Sequence, residues 1–195
     1  MKTKKIILLA FVAVAVFASS CKKEIKYEFP KGLIPYELGQ IISFIDSSGQ
    51  TFDVIVTESN TEWYQESEGS FFFDGYISIE TKKVTLKSEA NNLEIKLQNN
   101  WPSSDRILLG IYINNSREFT LTSDNRGNFL NNAHNTTYST FFYESLEING
   151  KVYHDVVEHK NNTTDYHLFK QLFYNKTYGI LQVNMGGENF LTLNH

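Results

Sequence analysis

The chain of 195 residues has one cysteine, three prolines and three arginines. A single cysteine excludes an internal disulfide framework and a cysteine-rich zinc module. Eighteen Lys and Arg are outnumbered by 22 Asp and Glu, a balance that speaks against binding nucleic acid through a basic surface. Beyond the first 20 residues no apolar run approaches the length of a membrane-crossing helix. Motifs for chemistry are missing too. Glu68-Gly69-Ser70-Phe71 lacks the second glycine of a serine nucleophile turn, and no Lys-Ser/Thr follows Gly186-Gly187 to make a phosphate loop. No cofactor is expected. What the chain does have is length for a single domain, a 41% apolar content sufficient for a core, and 15 Phe with 11 Tyr.

The first 20 residues, MKTKKIILLAFVAVAVFASS, place three lysines ahead of an unbroken apolar run from Ile6 to Ala18 and end in two serines. These are the three parts of a secretory signal. As a helix the 13-residue run is about 20 Å long, too short for a hydrocarbon layer of about 30 Å, so it reads as a cleaved signal. Its end, Ala18-Ser19-Ser20-Cys21, resembles the lipobox of bacterial lipoprotein precursors, with Ala18 where that family most often has Leu. The resemblance implies cleavage before Cys21 and acylation of Cys21, so that the partner of the mature chain is a lipid bilayer. Cys21-Lys22-Lys23-Glu24 also looks like lipoproteins of the Bacteroidota, which implies an outer-membrane anchor on the periplasmic face or the cell surface. Removing Met1–Ser20 takes three lysines and no acid, leaving a mature net charge of minus 7. Residues 21–36, with charges, Pro30, Gly32 and Pro35 and no sustained period, read as a tether that lets the body stand away from the bilayer. Residues 37–195 read as a single domain.

That body alternates apolar and polar residues, the signature of half-buried strands. Ile41 to Asp46 and Thr51 to Glu58 flank Ser47-Ser48-Gly49-Gln50 as a hairpin. Strands follow over Tyr76 to Leu86 and Leu93 to Leu97, then Arg106 to Ile113 and Glu118 to Thr122 around Asn114-Asn115-Ser116. Tyr138 to Ile148 and Lys151 to Glu158 enclose Asn149-Gly150, a pair suited to the positive φ angles of a type I′ turn. The last hairpin joins Tyr178 to Val183 with Asn189 to Leu193. Residues 165–174 admit a helix through Leu168, Phe169, Leu172 and Phe173, or a strand with Tyr166, Leu168, Leu172 and Tyr174 on one face; the strand is favoured. Asp124 to Thr137 has the longest stretch without alternation and reads as a mobile loop. The expectation is an all-β antiparallel meander of about ten strands, a curled sheet or lipocalin-like barrel or half-barrel, with a β-sandwich as the alternative. From Ile148 to Val156 and from Leu172 to Gln182, around Tyr178-Gly179-Ile180, the chain resembles the closing part of uncharacterised Bacteroidota lipoproteins, which implies a β-rich fold and an envelope address and brings no known substrate.

Titratable residues are densest in His154-Asp155-Val156-Val157-Glu158-His159. On a strand the two histidines point to opposite faces, Asp155 shares a face with His159, and His154 with Glu158, so the cluster reads as solvated or structural and no metal site is expected. Asp124-Asn125-Arg126-Gly127-Asn128 reads as a turn, since it lacks the glycine placement and terminal Glu of a calcium loop. Aromatic residues carry the remaining signal. Trp63, Tyr64, Phe72, Tyr76 and Trp101, with Phe71 and Phe73, are candidates for a ligand cavity or a platform for sugar rings. The function expected is an anchored envelope module that binds a small molecule, a glycan or an envelope protein without chemistry. The alternative is a hydrolase whose carboxylates, such as Glu66, Glu68 and Asp74, converge only in the fold.

Overall fold

A computed structural model describes residues 23–70, 73–103, 106–130, 137–163, 169–186 and 190–194. The signal segment and Cys21 lie outside the described residues. So do the Phe71-Phe72 pair and residues 131–136, 164–168 and 187–189. Twelve strands and no helix occur among the described residues: β1 Lys23–Tyr27, β2 Ile41–Asp46, β3 Thr51–Ser70, β4 Phe73–Ser88, β5 Leu93–Ser103, β6 Arg106–Ile113, β7 Ser116–Asp124, β8 Tyr138–Ile148, β9 Lys151–Asn161, β10 Gln171–Asn175, β11 Gly179–Asn184 and β12 Phe190–Leu193. The protein is all-β, as the alternation implies. Residues 165–174 resolve toward the strand, since β10 begins at Gln171 with Leu172 and Tyr174 both buried; residues 164–168 lie outside the described set.

Two compact units form. Described residues of Met1–Glu28 and Trp63–Glu80 make the smaller, and those of Phe29–Glu62 and Thr81–His195 the larger. In the smaller unit β1 pairs in parallel with β4, from Lys23 opposite Gly75 to Tyr27 opposite Ile79, while β3 neighbours β4.

In the larger unit the strand order is β7-β6-β5-β4-β3-β2-β12-β11-β10-β9-β8. Apart from β4 beside β3, every pair of neighbours along that path is antiparallel. The chain therefore runs as a meander outward from β2 to β7, and from the other end inward from β8 to β12. Short turns explain the order, because a two-residue link can only return the chain beside itself. Asn149 and Gly150 have φ of 51° and 76°, and Asn114 and Asn115 have φ of 49° and 70°, the left-handed pairs that a right-twisted hairpin requires. The sheet curls strongly enough that Phe119 of β7 meets His159 of β9, near the far end of the strand order, edge to face at 6.0 Å. Phe44, Val54, Val84, Leu86, Ile95, Leu97, Ile107, Ile111 and Leu172 fill its core, all fully buried.

The tether reading is corrected over residues 23–36. Lys23–Tyr27 is a strand, and Phe29, Leu33, Ile34 and Tyr36 are core residues. Apolar burial overrides the absence of period here, at about 1.5 to 3 kcal/mol for each large side chain removed from water. Polar groups fix the path: the Tyr174 hydroxyl donates to the Leu33 carbonyl at 2.6 Å, and Lys82 Nζ donates to the Ile34 carbonyl at 3.0 Å. Part of the expected mobile loop is likewise ordered by hydrogen bonds. Asp124 accepts from the amides of Arg126 and Asn128, and the Leu130 amide donates to Thr122. Asn131 to Asn135 and the neighbouring Thr136 lie outside the described residues.

Candidate functional site

Strand β9 breaks its own alternation at Asp155. Tyr153 and Val157 are buried, whereas Asp155, between them in the same row, is exposed. Its φ is 53°, and it is the one non-glycine residue inside a strand with positive φ among the described residues. For an L-residue that conformation costs about 1 to 2 kcal/mol, and Asp is one of the few side chains that visit it. A regular backbone would aim the carboxylate inward with Tyr153 and Val157; the left-handed residue turns it out. The expectation that Asp155 and His159 share a face is corrected for this reason.

Asp155 stands in the wall of an open groove of about 620 Å³ that includes Phe129, Phe142, Tyr143, Glu144, His154 and Lys176. Strand β8 supplies Phe142 to Glu144, β9 supplies His154 and Asp155, and the turn after β10 supplies Lys176. Register pairs Tyr143 with Val156 and Ser145 with His154, which sets Glu144 across from Asp155. Phe142 is 48% exposed although it lies in the same row as buried Thr140. Phe129 is held edge-on against Tyr174 at 5.9 Å. Asn175 ties the turn to the kink: its Nδ2 donates to the His154 carbonyl at 3.2 Å, and its Oδ1 accepts from the Tyr178 amide at 2.8 Å.

Behind the groove β9 carries a buried carboxylate. Glu158 accepts from the Tyr143 hydroxyl at 2.5 Å on one oxygen and from Gln171 Nε2 at 2.6 Å on the other. Its hydrogen bond to Tyr143, with burial behind it, pushes that phenol up to about 12. Tyr143 is thereby a hydrogen-bond donor held in place at neutral pH, and its ring position is set from beneath. His159 is buried, stacked on Tyr138 at 5.2 Å with Thr140 Oγ1 at 3.3 Å from Nδ1. Burial pushes its imidazole down to about 4, so it is neutral under physiological conditions. His154, by contrast, is exposed.

The groove thus offers two carboxylates, an imidazole, an ammonium and a phenol beside exposed aromatic surface. That mixture suits a ligand with hydroxyl groups on its edges and an apolar face, as a sugar ring has. Among the described residues no three His, Cys, Asp or Glu side chains converge as a metal site would require.

The aromatic residues expected to bind ligand are spread differently. Trp63 and Tyr64 are both exposed on β3, on opposite faces, so these two do not form one platform. Lys26 Nζ lies 5.8 Å from the Trp63 ring, and Tyr76 is half-buried on β4. Trp63, Tyr64 and Tyr76 belong to the smaller unit and Trp101 to the larger. Phe72 and the side chain of Trp101 lie outside the described residues, as do the side chains of Glu68 and Asp74; Glu66 is exposed.

No family model, no curated protein and no solved structure matches this chain. Its chemistry is therefore read from its own residues. Nothing in the local sequence marks Phe142, Glu144 or Lys176 as part of a site. The signal that could have found the groove was Asp155 itself, a carboxylate in a row that alternation assigns to the core.

Proposed function

We propose that this chain is a lipid-anchored envelope protein that binds a sugar-like ligand, without chemistry, in the groove along β8 and β9. Cys21 behind its lipobox supports the anchor, and the groove supports the binding. One observation carries the reading of the groove: the backbone is held in a costly conformation at Asp155, and the result is an exposed carboxylate beside Phe142 and Tyr143. Strain of this kind persists where the surrounding structure enforces it, and it clusters at ligand sites. A volume of about 620 Å³ falls within the usual range for small-molecule sites.

Calorimetric titration of the detergent-purified full chain with neutral and amino-sugar oligosaccharides tests the binding. Heat that saturates for the wild type and vanishes in both Phe142→Ala and Asp155→Asn supports it. Absence of heat with every sugar, or heat unchanged in both variants, removes the groove from the reading. Fatty-acid labelling of the wild type that persists in Cys21→Ala removes the anchor. A hydrolase is the second reading, favoured by Glu144 lying across from Asp155 in one groove. New reducing ends on incubation with a glycan, lost in Glu144→Gln, would replace binding with hydrolysis.

A further inference from the structure

The smaller unit is an amphipathic sheet. Register and contacts assign its faces: Ser78 Oγ donates to Glu24 Oε1 at 2.7 Å, Gln65 Nε2 reaches the same Ser78 oxygen at 3.4 Å, and Lys26 lies over Trp63. Glu24, Lys26, Trp63, Gln65, Tyr76 and Ser78 therefore share one polar face. Period two puts Ile25, Tyr27, Tyr64, Ile77 and Ile79 on the other. Tyr64 is 57% exposed and Ile25 is 36% exposed, so this apolar side reaches solvent.

Its position in the chain names what covers it. β1 begins at Lys23, two peptide links from Cys21, and two links span at most about 7 Å. An acylated Cys21 would hold the start of β1 within about that distance of the headgroups, with no free tether between. Acyl chains already in the bilayer raise the effective concentration of a weakly apolar surface beside them, so modest contacts suffice. Tyrosine with isoleucine suits the headgroup boundary, where a ring is buried while its hydroxyl stays wet. Glu62 and Glu66, exposed on either side of Tyr64 in the same row of β3, bring negative charge to that side, which fits zwitterionic rather than anionic lipid.

We infer that the apolar face of the smaller unit, centred on Ile25 and Tyr64, lies against the zwitterionic bilayer into which Cys21 is anchored. This rests on the anchor proposed above. The polar face with Trp63 and Lys26 points away from the lipid, and the smaller unit is held at a set orientation to the bilayer.

Two single-tryptophan reporters in the acylated full-length protein test this in phosphatidylcholine vesicles. Trp101→Phe leaves Trp63 on the polar face; Trp63→Phe with Trp101→Phe and Tyr64→Trp places the reporter on the apolar face. Phosphatidylcholine brominated on its acyl chains should quench the second reporter several-fold more than the first, and Ile25→Trp with Trp63→Phe and Trp101→Phe should report as the Tyr64→Trp protein does. Circular dichroism identifies any reporter that has not folded, and the other apolar-face reporter then decides. Equal quenching of both faces, or none, with the acyl mass present on Cys21, overturns the docking and leaves the anchor standing. Shielding of the apolar reporter from acrylamide without lipid quenching means that protein covers the face, and also overturns it. A chain without acyl mass on Cys21 overturns both.

Discussion

The Tyr36 hydroxyl accepts a hydrogen bond from the Ile180 amide at 2.7 Å, 144 residues further along the chain. Tyr36 lies flush against the backbone of Gly179, where a Cβ would stand 2.2 Å from the hydroxyl oxygen. Both phenols of this region, Tyr36 and Tyr174, are pushed up by burial, so both stay protonated. The pair holds Phe29–Tyr36 in the core, and with it the point where the chain enters the larger unit.

Gly179→Ala should therefore be among the most destabilising single-methyl additions in the protein. A φ of 78° and the overlap with Tyr36 act together, for about 2 to 5 kcal/mol. Tyr36→Phe should cost about 1 to 3 kcal/mol by leaving the Ile180 amide unpaired. Denaturant midpoints measure both, and a Gly179→Ala midpoint equal to wild type would refute the contact.

His159 should make stability fall with acid in a window of its own. Its native value of about 4 lies below the ordinary 6.5, so between those values the unfolded chain binds a proton that the native state refuses. This contribution is complete above about pH 6.5 and is lost as pH drops toward about 4, a fall of about 3 kcal/mol. Carboxylates held below their ordinary values by hydrogen bonds, such as Glu58 by Thr85 and Asp46 by Ser48, lose their contributions only lower, below the ordinary 4.5 of Glu and 3.8 of Asp. Midpoints at pH 7 and pH 5 compared for wild type and His159→Phe check this. The slope should flatten in the variant even if its stability at pH 7 is reduced.

Asp155→Gly should separate stability from binding. Glycine relieves the left-handed backbone, and a gain of about 1 kcal/mol is expected if its greater freedom when unfolded does not offset it. Sugar affinity should drop at the same time, because the carboxylate is gone. A variant that binds as tightly as wild type would remove Asp155 from the site.

Gly150→Val tests the turn between β8 and β9, where φ is 76° and no atom crowds the added Cβ. The loss should come from backbone strain alone, about 1 to 3 kcal/mol. Gly150→Asn should recover most of it, since Asn tolerates the left-handed region, and thermal melts of the two distinguish strain from packing.

Strand identity was legible because alternation is local: Phe52, Val54 and Val56 declare their face without reference to the rest of the chain. Turns were legible for the same reason, since Asn149-Gly150 carries its own φ preference. The groove was half legible. His154 and Asp155 stood out by composition, but whether a carboxylate turns in or out is decided by one backbone angle, beside a carbonyl that Asn175 holds from another strand. Residues 29–36 were illegible, because Leu33, Ile34 and Tyr36 have no period of their own and their burial depends on Tyr174 and Ile180 arriving from the other end of the sequence. Local periodicity determined the strands and hairpins of this protein; the curl of the sheet, the segment that fills its core and the outward turn of Asp155 were decided by tertiary structure, because each depends on contacts between residues that are far apart in sequence.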